Sequence, residues 1–243
     1  MEAGIDDNVW KMEEIVMILM QTSVGKVMGA NIVKNPWTEI PLSDYEGHMT
    51  QVAQAQLVAD IFEKVLRERS PRSVAVIGCA GGNGFERVDP KSTPRVVGVD
   101  INPDYIAQAR MRFSARIPQL ELYVEDIQTA KPAQAPVDVV FAALVFEYVE
   151  AAAALSRIRL MLNPGGVLVA VVQLPNAVAA AVTPSRFSSL QVLVPCMRLV
   201  SPDALREAAE SAGFESARSR VVDSLQGKRF HVHEFLVTRD GAN

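Results

Sequence analysis

The residues best suited to chemistry stand at the ends of three short apolar runs. Val74-Ala75-Val76-Ile77 feeds Gly78-Cys79-Ala80-Gly81-Gly82-Asn83-Gly84, four glycines in seven residues. A turn of that composition lets the backbone approach a ligand closely and can aim N–H groups at it. Asp100-Ile101 closes the second run, 18 residues after Gly82. A carboxylate there can accept hydrogen bonds from both hydroxyls of a ribose. Asp126-Ile127 follows the third run; the acid can accept from an exocyclic amine, with the isoleucine against a ring. These positions make Gly78, Cys79, Ala80, Gly82, Asp100, Ile101, Asp126 and Ile127 the candidates for holding a nucleoside-bearing cofactor. Each has a plainer reading too. The turn can simply lead from a strand, Asp100 can cap the next helix (Asn102 fits that cap better), and loop aspartates commonly build turns.

A second group has residue types suited to moving a proton or seating a substrate. Tyr45 and His48 lie in Asp44-Tyr45-Glu46-Gly47-His48-Met49, and Glu147 and Tyr148 follow the fourth apolar run. Histidine titrates near neutrality and can serve as a general base. His48 can equally be a surface or capping residue, and Phe146 and Tyr148 can be packing residues at a helix start. His231 and His233 share one face of the last strand by alternation. They read as sheet residues, because two histidines without a third ligand do not make a metal site; no metal is expected.

These residues need elements to place them. Thr50 to about Arg69 has apolar residues at Leu57, Ile61 and Val65 and at Val58, Phe62 and Leu66, which predicts an amphipathic helix stopped by Ser70-Pro71. Strands follow at Val74–Ile77, Arg95–Val99, Leu120–Val124, Val137–Ala142 and Val167–Val172. Between them lie a helix opened by Asn102-Pro103 and another over Val149–Leu162. Ser201-Pro202 starts a last helix that Gly213 stops, and strands at Ser216–Val222 and Phe230–Thr238 close the chain. Strands alternating with helices give an α/β fold, a Rossmann-like doubly wound, mostly parallel sheet with its ligand at the carboxyl ends of the strands. The last two strands are close enough to pair antiparallel. Residues 1–50 read as a helical extension or lid, with an irregular stretch from Asn35 to Met49, and residues 51–243 as the main domain. Residues 176–199, with Phe187, Leu190, Met197, Arg186 and Arg198, read as a second cap. Met12, Met17, Met20 and Met28 read as a helical core face or as a pliable pocket lining.

Composition narrows the function. Of 243 residues 49% are hydrophobic and 21% charged, which excludes a disordered chain. Lys and Arg number 24 against 28 Asp and Glu, a net charge of −4. That balance gives no footprint for non-specific nucleic-acid or anionic-membrane binding. The longest apolar stretch, Val167–Val182, is interrupted by Gln173, Pro175 and Asn176, so no membrane span is expected. Cys79 and Cys196 stand in no Cys-x-x-Cys pair. The expectation is a soluble cytoplasmic protein, with a homodimer compatible with the sequence.

The glycine turn, the strand-end Asp100, the later acid and the stretch Leu162-Asn163-Pro164-Gly165-Gly166 together resemble the class I S-adenosylmethionine-dependent methyltransferase family. The resemblance covers about Val52 to Thr238 and includes Val97-Gly98-Val99-Asp100, Glu125-Asp126 and Val137-Asp138-Val139-Val140. It implies a seven-stranded sheet with an antiparallel last strand, S-adenosyl-L-methionine as cofactor, and a small-molecule methyl acceptor. Asp44–Met49 resembles the Tyr-x-x-His-Met stretch of some small bacterial members, which puts His48, Tyr45, Glu147 and Tyr148 on the acceptor side. Val76 stands where the family usually has an acid, and Ala80 where it usually has its second glycine. That departure motivates a second expectation, a non-catalytic module keeping the fold as a ligand or partner sensor. A third, an NAD(P)-dependent oxidoreductase, is suggested by Gly78, Gly82 and Gly84, but no tyrosine is followed four residues later by the lysine that short-chain dehydrogenases need for proton transfer. A nucleic-acid or protein methyltransferase is disfavoured by the acidic balance.

Overall fold

The computed structural model describes residues 35–130, 136–175 and 182–238. The compact unit Pro36–Asn243 is built on one seven-stranded sheet. Its strands are β1 (Ser73–Ile77), β2 (Arg95–Asp100), β3 (Gln119–Val124), β4 (Val137–Ala143), β5 (Leu162–Gln173), β6 (Phe214–Asp223) and β7 (Arg229–Val237), in the order β3-β2-β1-β4-β5-β7-β6. β3 through β5 are parallel, and β7 runs antiparallel to both β5 and β6. All five residues of β1 are buried, as a central parallel strand covered on both faces requires.

Helices α1 (Leu42–Gln51), α2 (Gln54–Arg69), α3 (Pro103–Phe113), α4 (Ala151–Leu160) and α5 (Pro202–Ser211) surround the sheet. Alternation along the strands divides the core in two. Ala75, Ile77, Val140, Leu168 and Phe235 meet Leu155 and Ile158 of α4 and Leu205 of α5. Val74, Val76, Val139, Phe141 and Val169 meet Ile61, Phe62 and Val65 of α2 and Ile106 of α3. The predicted caps are present: the Asn102 side chain accepts from the N–H groups of Asp104 and Tyr105, and the Ser201 hydroxyl from that of Ala204. No described helix is long and apolar enough to cross a membrane.

Two expectations are corrected. The stretch from Asn35 to Met49 is not irregular: Pro36–Glu39 is a 3-10 turn and Leu42–Gln51 is α1. Nor does the second helix begin at Thr50; Ala53 breaks the chain in a left-handed conformation (φ 54°), and α2 starts at Gln54. Gly47 masked α1, since glycine is a poor helix former. A Cβ at Gly47 would sit 2.3 Å from Phe187 Cζ, so the glycine serves contact with the second cap. Of the expected helical extension over residues 1–50, residues 1–34 with the four methionines lie outside the described residues, as does the 176–181 part of the cap.

Between β1 and β2 the helical structure is the three-residue 3-10 turn Phe85–Arg87. β7 returns from the β6 hairpin, whose turn therefore comes to the end of β5, with Leu174 N–H donating to Arg229 C=O at 2.8 Å. This delivers the hairpin turn to the same edge as the carboxyl ends of β1, β2 and β4.

Candidate active site

The glycine turn is wound tightly on itself. Gly78 and Gly82 have φ of 66° and 89°, where a side chain is strained, and Ala80 adopts 47° in spite of its Cβ. The N–H groups of Gly78 and Cys79 donate to Val99 C=O, and that of Gly82 to Cys79 C=O. Cys79 is buried; burial and the Asp100 carboxylate push its thiol well up, so it packs rather than reacts.

Asp100 is 9% exposed at the end of β2. Its Oδ2 accepts the N–H of Ala80 at 2.8 Å and its Oδ1 that of Asn102 at 2.9 Å. Burial pushes its carboxyl up to about 6, against backbone hydrogen bonds from Asn102, Ala80 and Ile101 that pull it down. The carboxylate thus ties the glycine turn to the start of α3. The third acid builds a turn of its own. Asp126 Oδ1 accepts from the Gln128 backbone N–H at 2.9 Å, and its C=O from Ala130 N–H at 2.7 Å, while Ile127 is buried in the core beside α4.

A cavity of about 280 Å³ opens against the turn. Ala80, Gly81, Gly82 and Asn83 form one side, and Tyr45, Glu46, Met49 and Arg112 are among the residues across from it. Arg112 of α3 clasps Glu46 of α1 over Gly81, with Nη2 to Oε2 at 3.1 Å. α1 is further fixed by Ser189 Oγ donating to Asp44 Oδ2 at 2.6 Å, and the residues before it by Asn102 Nδ2 donating to Trp37 C=O at 2.9 Å.

A second cavity, of about 60 Å³, adjoins the first; Tyr45 and Met49 line both. Its aromatic wall is Trp37, set edge-on to Tyr45 (5.7 Å between ring centres) and to Tyr148 (4.9 Å). Leu190 and Leu193 of the cap close another side. At the sheet edge the lining turns polar, with His48, Gln54, Gln173 and Lys228. Lys228 is only 5% exposed; its Nζ donates to Gln173 Oε1 at 2.9 Å. Burial lowers Lys228 to about 8, partly opposed by Glu147.

Glu147 is 1% exposed. Its Oε1 accepts Gln173 N–H at 2.7 Å, and its Oε2 has no hydrogen-bond partner among the described residues. Burial pushes Glu147 up to about 7, against that backbone bond and the Lys228 charge. His48 is buried with Nδ1 likewise unpartnered, and burial, then Lys228, lowers its pKa, so it is neutral at pH 7. Burial and nearby acids, Asp100 and Glu147 respectively, push the phenols of Tyr45 and Tyr148 up. Leu144, which also lines the cavity, sits at φ 59°, a strained conformation for a leucine at a strand end.

The structure therefore brings Tyr45, His48 and Tyr148 to one cavity, with Glu147 beside it, and places Ala80 and Gly82 at the other. Asp126 and Ile127 line neither. Sequence reasoning missed Trp37, Gln54, Gln173 and Lys228. For Lys228 a signal existed: it continues the alternation of Phe230 and Val232, which face the core.

Residues 76–168 match the model of a family described as a methyltransferase domain. A curated relative, the trans-aconitate 2-methyltransferase of Methylobacterium radiotolerans, is 30% identical over 145 residues, 59% of this chain and 51% of the relative. The chain thus matches about half the length of that protein. Among solved structures, the 1,6-didemethyltoxoflavin-N1-methyltransferase of Burkholderia thailandensis, with its acceptor and S-adenosylhomocysteine bound, superposes with a TM-score of 0.60 at 16% identity, covering 98% of this chain and 95% of that one. The N-methyltransferase NodS of Bradyrhizobium japonicum in complex with S-adenosylhomocysteine gives a TM-score of 0.55 at 18% identity, covering 90% and 98%. Residues 76–168 thus match a methyltransferase-domain family, and the fold is one shared with methyltransferases whose structures hold S-adenosylhomocysteine.

Proposed function

We propose that this chain transfers a methyl group from S-adenosyl-L-methionine to a small-molecule acceptor. The observation that carries the reading is the pair of adjoining cavities with Tyr45 and Met49 in their common wall. One lies on the glycine turn and the other beside buried groups able to exchange a proton. Displacement at a methyl carbon needs donor and acceptor in line with water kept out, which two chambers sharing a wall can provide.

In this reading Gly78, Cys79, Ala80 and Gly82 let the backbone pass close to the cofactor, and Asp100, with Ile101 beside it, faces the sugar. The turn and its cavity fit such a group; the cover Pro36–Gln51 must shift to uncover Asp100, which is nearly buried. Asp126 and Ile127 flank the base from the loop after β3. The cofactor, when bound, supplies an electrophilic methyl carbon. The chain's own residues orient and exclude: Trp37, Tyr45 and Tyr148 close on the acceptor, and His48 Nδ1 or Glu147 Oε2 accepts a proton where the acceptor must lose one. The second cavity has room for a few waters, so an acceptor enters as the cover and the Ser188–Leu193 cap part. Residues 36–51 and 182–199 act together as that cover.

Titration with S-adenosylhomocysteine tests the proposal. Saturable heat and a rise in melting temperature are expected; neither at millimolar ligand removes the cofactor and the function with it.

A further inference from the structure

Three glycines of the turn have a backbone reason to be glycine, and Gly81 does not. Gly78, Gly82 and Gly84 have positive φ, whereas Gly81 is outside that region. Its missing side chain leaves space instead. A Cβ there would stand 2.7 Å from both Arg112 Nη1 and Glu46 Oε1. An ion pair thus lies directly on the bare backbone. Arg112 Nη1 donates to Gly81 C=O at 3.3 Å, and its two Nη groups meet the two oxygens of Glu46 as a fork. The pair joins α3 to α1 in the lining of the cavity on the glycine turn.

We propose that Arg112 and Glu46 read the amino-acid end of the cofactor, Arg112 taking its α-carboxylate and Glu46 its α-ammonium. This rests on the methyltransferase reading and names residues for the part of the ligand that the turn and Asp100 leave unassigned.

An amino-acid group carries opposite charges on one carbon, and removing either from water without a partner is costly. A guanidinium holds a carboxylate by two parallel hydrogen bonds, the arrangement Arg112 already has with Glu46. Arg112 is the cation of that lining; Glu86, its other acid, meets Arg87. The side chains of Arg112 and Glu46 are 38% and 40% exposed. An ion pair so exposed adds little to the fold, so exchanging it for the charges of a ligand costs little. Burial raises the phenols of Tyr45 and Tyr105, and the charges that raise both further include Asp100 and Glu46. Those rings stack at 5.9 Å, so the sugar acid and the ion pair belong to one site. The Tyr105 hydroxyl is buried with no hydrogen-bond partner among the described residues, a group that a polar ligand would satisfy.

The test uses S-adenosylhomocysteine, its decarboxylated analogue and its deaminated analogue, each titrated by calorimetry into the whole chain. Wild type is expected to bind S-adenosylhomocysteine at least about tenfold more tightly than either analogue, the worth of a charge-assisted hydrogen bond. Arg112→Gln should erase the preference over the decarboxylated analogue. Arg112→Lys, which keeps the charge and loses the fork, should retain part of it. Glu46→Gln should erase the preference over the deaminated analogue. Thermal unfolding confirms that each variant is folded. Either preference surviving its own variant overturns the proposal and leaves the pair a simple latch between α1 and α3. Failure of wild type to bind any of the three refutes the methyltransferase reading, whereas equal binding of all three refutes only the role given to the ion pair.

Discussion

Asp100, the last residue of β2, and Glu147, four residues beyond β4, are both carboxylates at the carboxyl ends of sheet strands. Both are almost wholly buried, and burial holds both above the ordinary range. Their surroundings differ. Asp100 has backbone donors on both oxygens, from Ala80 and Asn102, and so locks one loop to the next. Glu147 has one oxygen so engaged and the other bare. A carboxylate with both oxygens satisfied belongs to the framework on which a ligand is laid. One left half satisfied near a buried cation keeps a proton-accepting or ligand-reading capacity that a stable framework alone would not retain.

The comparison can be broken most forcefully at Glu147. Its folded pKa of about 7 lies above the ordinary 4.5. Its contribution to stability is therefore fully present below about pH 4.5 and is lost as pH rises through about 7. Glu147→Gln avoids that loss while keeping an acceptor for Gln173 N–H. Relative to wild type it should gain about 2.5 kcal/mol between pH 5 and pH 8, measured by urea unfolding across that range. Lys228 titrates in both proteins and largely cancels in the difference; parallel profiles would refute the assignment. A smaller effect is expected at the other carboxylate. Asp100→Ala should weaken S-adenosylhomocysteine binding by about 1–3 kcal/mol, measured by calorimetry, as loss of a charged hydrogen-bond acceptor implies. An unchanged Kd would confine Asp100 to its framework role. The smallest is at Ala80. Its left-handed backbone costs about 1–2 kcal/mol, partly offset in Ala80→Gly by the freer unfolded chain, so the variant should be more stable by about 0.5 kcal/mol. Unfolding midpoints at one pH decide this, and a loss of stability would show that the turn relies on the alanine methyl.

The two regions also differ in how far the sequence discloses them. The glycine turn occupies consecutive residues, and Asp100 ends the neighbouring strand, so composition and spacing were enough. The parallel strands and the antiparallel pairing of β6 with β7 followed from alternation and loop length in the same way. The second cavity is gathered from Trp37, His48, Leu144, Gln173, Leu190 and Lys228, positions spread across most of the described chain. Their proximity depends on how α1, the cap and the β6–β7 hairpin pack on the sheet, and no local pattern encodes that. His48, Tyr45, Glu147 and Tyr148 were chosen for residue type and resemblance, whereas Lys228 was passed over as part of a hairpin loop. Asp126 stands after β3 where a base reader would, and it also accepts from Gln128 and Ala130 as an ordinary turn aspartate does; sequence discloses the place and not these contacts.

The brief 3-10 turn Phe85–Arg87 after the glycines has a bearing on the choice of cofactor. In dinucleotide sites the glycine loop opens into a full helix, whose aligned peptide dipoles place a partial positive charge against a pyrophosphate. Here that dipole column is missing from the first crossover, so the bend gives a pyrophosphate little to hold. By the same token it offers little repulsion to a sulfonium cation.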